Sequence, residues 1–183
     1  MAILLDSENN VFTLQTDHSM YQMKADRYGV LLHTWFGEKG SDFDYSYLIT
    51  YADRGFSGNP YEVEDERTYS LDALPQEYPA YGSGDYRGSA LKVRYPDGTT
   101  SCELRYVKHQ LLEGKYSIPG LPAIYKMPEN KADTLVITLE DTRKFFYVHL
   151  YYGVMEDLDI ITRAVRIENH SDKPIYLENV QST

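Results

Sequence analysis

The sequence holds a single cysteine, Cys102, among 183 residues. No internal disulfide can form, so small disulfide-stapled scaffolds are excluded and a reducing compartment fits. Positive charge is also scarce: 18 basic residues against 28 acidic ones give a formal net charge of -10. That balance excludes a polybasic nucleic-acid binder, because the surface repels phosphate backbones and suits neutral or cationic partners. No apolar run approaches the ~18 residues of a membrane span. The run Ala2-Ile3-Leu4-Leu5 is too short for a signal peptide and has no basic region before it. The chain therefore reads as soluble and cytoplasmic, with neither nucleic acid nor membrane as partner. The Asn169-His170-Ser171 sequon reads as chance in that setting. Sustained helical periodicity is missing as well: no window repeats apolar residues every 3.6 positions between caps.

What is present is aromatic and strand-like. Tyr 18, Phe 6 and Trp 1 make up 14% of the chain, and apolar residues reach 42%, enough for one real core and one domain over residues 1–183. Tyrosine is a flat apolar ring with a polar tip, which suits strand faces, interfaces and sugar stacking. Val11 to Thr16 alternates apolar and polar positions. Val30 to Phe36 is bounded by Gly29 and Gly37. Ala90 to Tyr95 alternates too, and Pro96-Asp97-Gly98-Thr99 is a strong turn signal, so residues 90–112 read as a hairpin. Leu135–Leu139, Phe145–Tyr152 and Asp159–Ile167 are β-branched or aromatic, Asp141 to Lys144 reads as a turn, and Asn169 to Pro174 turns the chain into a last strand at Ile175-Tyr176-Leu177. Many strands with short polar turns predict an all-β antiparallel sandwich.

Residues 53–88 break this pattern with five glycines, three prolines and many charges. A long irregular segment in a compact domain is functional or disordered, and its tyrosines and phenylalanine argue for order. The carboxylates of Asp53, Glu62, Glu64, Asp65, Glu66, Asp72 and Asp85 lie here, interspersed with Arg54, Arg67 and Arg87. Paired carboxylates can hydrolyse glycosides, but the sequence alone favours a solvated acidic surface with local ion pairs. The histidines His18, His33, His109, His149 and His170 form no metal-ligand spacing, and no G-x-S-x-G or phosphate loop appears. Cys102 reads as a buried, inert thiol. The residues alone therefore favour binding or assembly over catalysis.

Asp53-Arg54-Gly55-Phe56-Ser57-Gly58-Asn59-Pro60 resembles the D-R-x-F-S-x-N-P segment of bacterial α-galactosidases of glycoside hydrolase family 36. Arg67-Thr68-Tyr69-Ser70-Leu71-Asp72, then Leu74-Pro75-Gln76-Glu77-Tyr78-Pro79, is similar to their R-T-[FY]-S-L-D-x-L-P-Q-E-Y-P. Gly84-Asp85-Tyr86-Arg87, Gly120-Leu121-Pro122-Ala123 and Glu156 to Arg163 continue the match in order across nearly the whole chain.

The resemblance implies an N-terminal β-supersandwich of the galactose-mutarotase-like kind. It implies that the catalytic carboxylates lie on a following (β/α)8 barrel, so that this chain is a piece of a larger enzyme with no catalytic residue of its own. The parent would hydrolyse terminal α-linked galactose with retention, without cofactor or metal, as a homo-oligomer, a tetramer in the family's manner. In such tetramers loops of this domain reach a neighbour's sugar pocket, and the matching positions are Asp53, Phe56 and Arg67. Alternatives are a stand-alone carbohydrate-binding sandwich and, more weakly, a sugar mutarotase or epimerase.

Overall fold

A computed structural model describes residues 2–55, 59–122, 129–141, 143 and 146–182. The alternating segments form strands, and every pairing between named strands is antiparallel. The first sheet is a meander of β1 (Ile3–Asp6), β2 (Val11–Gln15), β3 (Ser19–Ala25) and β4 (Leu31–Glu38). β5 (Leu91–Arg94) stands apart from it. The second sheet is another meander, of β6 (Arg105–Glu113), β7 (Ala132–Asp141), β8 (Phe146–Met155) and β9 (Ile160–Asn169). β10 (Tyr176–Val180) pairs with β5 in a separate two-stranded ribbon. Among the described residues the only helical elements are 3-10 turns at Tyr45–Leu48, Tyr61–Val63 and Glu156–Leu158.

The main core lies between the two sheets. Phe12, Leu14 and Met23 from the first meet Leu135, Ile137, Phe146, Val148 and Leu150 from the second. These positions recur every second residue, as a half-buried strand requires. The opposite face of the first sheet is organised by Gln22, which is buried. Its amide nitrogen donates to Thr13 Oγ1 at 2.9 Å and to the Phe43 carbonyl at 2.8 Å. Its carbonyl oxygen accepts from Thr34 Oγ1 at 3.0 Å and from the Tyr45 N–H at 2.9 Å. One amide thus satisfies itself completely and holds the chain after β4 against the sheet.

The hairpin expected over residues 90–112 is corrected. The turn forms: Gly98 takes φ 83, and the Tyr95 N–H donates to the Thr99 carbonyl at 2.9 Å. The strands on either side do not pair with each other. β5 pairs with β10, while β6 leaves to edge the second sheet. Cys102, between β5 and β6, is buried, and burial together with the Asp141 carboxylate pushes its thiol pKa well up, as an inert thiol requires. The turn expected at Asp141 to Lys144 lies partly outside the described residues, as does Phe145 at the start of the expected eighth strand.

Candidate functional site

The described part of the 53–88 excursion is ordered and packs on the chain's own sheet. Val63, Tyr69, Leu71 and Leu74 form a second small core with Val30 and Leu32 from the outer side of the β4 region. The Tyr69 hydroxyl donates to Asp26 Oδ2 at 2.6 Å, and Asp26 Oδ1 accepts the N–H groups of Tyr28 and Val30, each at 2.9 Å. The main chain is stitched to β4 as well: the His33 N–H donates to the Pro75 carbonyl at 2.8 Å, and the Glu77 N–H donates to the Leu31 carbonyl at 2.9 Å.

Arg87 clamps the middle of the excursion. Its Nε and Nη2 donate to the two carboxylate oxygens of Asp85 at 2.9 and 2.7 Å. Nη2 also reaches the carbonyls of Leu71 and Leu74 at 3.0 and 2.7 Å. Burial alone would raise the Asp85 pKa, but the bonds from Arg87 outweigh it and hold the carboxyl below its ordinary range. Gly82 seats the turn before this clamp. It has φ +85, and a Cβ there would fall 2.8 Å from the Ser101 backbone.

Asp53 and Arg67 come together on the outside of this frame. Arg67 Nε stands 3.2 Å from Asp53 Oδ2, and Nη2 donates to Oδ1 at 3.5 Å, a fork-on-carboxylate arrangement. Asp53 Oδ1 also accepts the Gly55 N–H at 2.7 Å. The two side chains keep 44% and 69% of their surface exposed, so the pair pins the loop weakly, by about 0–1 kcal/mol, and leaves donors and acceptors facing solvent. Phe56, the third expected residue, lies outside the described residues. Arg54 pairs with Asp72 at 3.8 Å, so the three arginines of the excursion each find a local carboxylate, as the interspersed charges suggested.

An open cleft of about 570 Å³ has Tyr51 and Glu66 on its walls, near Asp53 and Arg67 in sequence, and Ile49 and Leu32 as its apolar lining. Its size falls within the ~300–1,000 Å³ of ordinary small-molecule sites. Among the described residues no group of three His, Cys, Asp or Glu side chains could hold a metal ion, and no helix is long and apolar enough to cross a membrane.

Reading the sequence missed the strongest polar cluster. Glu77 is buried, and its carboxylate accepts from the hydroxyls of Tyr21 and Tyr152 at 2.6 and 2.7 Å. Arg163 Nη2 stands 2.7 Å from Glu77 Oε1, and His33 Nδ1 is 3.6 Å from Oε2. Burial, with the Glu77 charge adding to it, pushes the pKa of both phenols far up. The available signal was that Glu77 and Arg163 both sit in the quoted motifs.

A family model described as the glycosyl hydrolase family 36 N-terminal domain matches residues 29–183. The bifunctional alpha-galactosidase/sucrose kinase AgaSK of Mediterraneibacter gnavus is 48% identical over 178 residues, 97% of this chain and 19% of that protein. Alpha-galactosidase Mel36A of Lactobacillus acidophilus is 36% identical over 180 residues, 98% of this chain and 24% of its own length. This chain therefore spans about a fifth to a quarter of the curated relatives it matches. Among solved structures, the galactosidase domain of AgaSK superposes with a TM-score of 0.93 at 47% identity, covering 98% of this chain and 25% of that one. A Geobacillus stearothermophilus AgaA variant crystallised with raffinose gives 0.87 at 38% identity, covering 94% and 24%.

Proposed function

The chain belongs to the N-terminal domain family of glycoside hydrolase family 36, and from that premise we propose that it serves as the non-catalytic N-terminal part of an α-galactosidase. The parent hydrolyses terminal α-linked galactose, of the melibiose or raffinose type, with retention. One carboxylate attacks the anomeric carbon, and a second protonates the leaving oxygen and then activates water, the two standing about 5 Å apart. Both belong to a barrel outside these 183 residues, and we assign the chemistry no cofactor. The domain supports a cytoplasmic homo-oligomer and lends Asp53, Arg67 and Phe56 to the sugar pocket of a neighbouring subunit.

The observation that carries this reading is the exposed Asp53–Arg67 pair on a firmly anchored loop. A carboxylate and a guanidinium in fixed geometry offer acceptors and donors matched to sugar hydroxyls. Relatives of known structure crystallised with raffinose and stachyose support the substrate class. In the full-length enzyme, Asp53→Ala is expected to raise KM about tenfold with kcat kept, the mark of lost uniform binding. An unchanged KM overturns the contact.

The cleft beside Tyr51 favours a second reading, a self-contained carbohydrate-binding module. Galactose titration of the isolated chain separates the two. The accessory reading expects no saturable binding, because the pocket needs a neighbour's barrel; the module reading expects saturation.

A further inference from the structure

The outer face of the second sheet carries a row that includes two of the chain's scarce basic residues. Lys108, Thr138, His149 and Arg166 stand in direct register across β6, β7, β8 and β9. Their neighbours Ile137, Leu139, Val148 and Leu150 are core residues, so the row faces outward. It floors an open groove of about 400 Å³, whose lining also includes Gln110 and Tyr151. No aspartate or glutamate lines this groove, although the chain has 28 acidic residues and 18 basic ones.

Glu168 and Glu140 lie one row away on the same face, in register across Tyr147. Glu168 binds Arg166, and its carboxylate stands 3.3 Å from His149 Nε2 and 3.1 Å from His170 Nε2, while Glu140 accepts from the Tyr147 hydroxyl at 2.8 Å. Among the described residues no ion pair engages Lys108. Of the row's two permanent positive charges, Arg166 is thus partly spent on Glu168, whereas Lys108 is not. Their strands lie three spacings apart, about 14 Å, a gap that a sugar with an anionic end fills when the long Lys108 and Arg166 side chains lean toward it from either edge. Tyr151 adds a ring and a hydroxyl, and Gln110 an amide.

We propose that this groove binds an anionic sugar, with its phosphate or carboxylate on Lys108, its hydroxyls across Gln110 and Tyr151, and its far end under the N–H donors that Arg166 does not spend on Glu168. This inference is independent of the role assigned to Asp53 and Arg67.

The test is a nuclear magnetic resonance titration of the 183-residue chain, following backbone amides, with glucose 6-phosphate, glucuronate and neutral glucose as probes. At least one anionic probe is expected to shift the amides of β6 to β9 saturably, and which one does so identifies the anionic group. Lys108→Gln, an exposed change on an edge strand, is expected to weaken binding about tenfold, the worth of one charge-assisted bond. Gln110→Ala is the second variant, also exposed, and is expected to weaken binding less. Saturation by neither anion, equal binding of glucose, or an affinity untouched by both variants overturns the proposal.

Discussion

Glu77 and Arg163, from the excursion and from β9, form an ion pair with Nη2 2.7 Å from Oε1 in which the carboxylate side chain is only 1% exposed. The pair joins the anchored loop to the second sheet. Removing one partner from such a pair strands the other, which costs about 3–5 kcal/mol. Arg163→Met is therefore expected to lower the unfolding free energy by that range, read in urea as a lower midpoint with the slope of the transition unchanged. Adding Glu77→Gln to Arg163→Met is expected to recover part of the loss, because the uncompensated charge is gone. A loss below about 1 kcal/mol for Arg163→Met would mean that the pair behaves like a surface bridge.

The elements that the sequence disclosed were those whose local chemistry matches their final state. β7, β8 and β9 are rich in β-branched and aromatic residues and are bounded by polar turns, and they form where expected. β3 escaped notice because Ser-Met-Tyr-Gln-Met-Lys-Ala contains no β-branched residue; its strand state comes from pairing with β2 and β4. The hairpin at 90–112 failed for a related reason. A turn such as Pro96-Asp97-Gly98-Thr99 reports that the chain reverses, not which strand it meets, and the partner of β5 arrives from the far end of the sequence. At the site, Asp53 and Arg67 were legible only through a family pattern. The Glu77 cluster escaped notice because burial of a glutamate depends on four partners supplied by four separate strands, β3, β4, β8 and β9.

Alkaline solution is expected to unfold the chain cooperatively. Burial, with help from Glu77 or Asp26, holds the phenols of Tyr21, Tyr69 and Tyr152 well above their ordinary pKa, and burial does the same for Tyr78. A raised folded pKa contributes stability that is fully present below the unfolded value of about 10 and is lost as pH rises beyond it. Each such group steepens the loss by about 1.4 kcal/mol per pH unit. Phenolate absorbance and far-ultraviolet circular dichroism should therefore change together in one step above pH ~10. Gradual ionisation with the dichroism intact would contradict the buried neutral phenols.

His18 and Asp159 form a second, exposed pH-sensitive link, with Nδ1 2.6 Å from Oδ2 and the His18 N–H donating to Oδ1 at 2.9 Å. A bond from Thr16, then those from His18, lower the Asp159 pKa to about 2, while the Asp159 contact raises that of His18 above 6.5. The aspartate contribution is present above its unfolded value of 3.8 and fades as pH falls toward 2. The histidine contribution is present below 6.5 and fades as pH rises through the higher folded value. The link is thus complete only between those unfolded values. Asp159 sits at φ 53, a conformation that asparagine tolerates, so Asp159→Asn isolates the charge. In that variant the His18 imidazole, followed by its proton resonances, should titrate lower than in the parent chain; an unmoved midpoint would sever the assignment.

Arg87 tests whether the excursion is held as a unit. Its guanidinium reaches Asp85 and the carbonyls of Leu71 and Leu74 at once, which a single ammonium cannot imitate from one point. Gln76 also donates to both carbonyls, its Nε2 to Leu71 at 3.1 Å and its N–H to Leu74 at 2.9 Å, so Arg87→Lys is expected to cost only the lost charge-assisted bonds, about 1–3 kcal/mol. The loss should be local: proteolysis within residues 53–88 and amide exchange around Leu71 to Gln76 should quicken before the sheets yield. Asp85 supplies an independent sign. Its lowered pKa contributes stability above pH 3.8 that disappears as pH falls through the folded value, and Arg87 is the source of that lowering. Arg87→Lys should therefore flatten the acid side of the stability curve as well as lower it. A uniform drop at all pH values, with proteolysis no faster in the loop than elsewhere, would mean that the clamp serves the whole fold and not the excursion that carries Asp53 and Arg67.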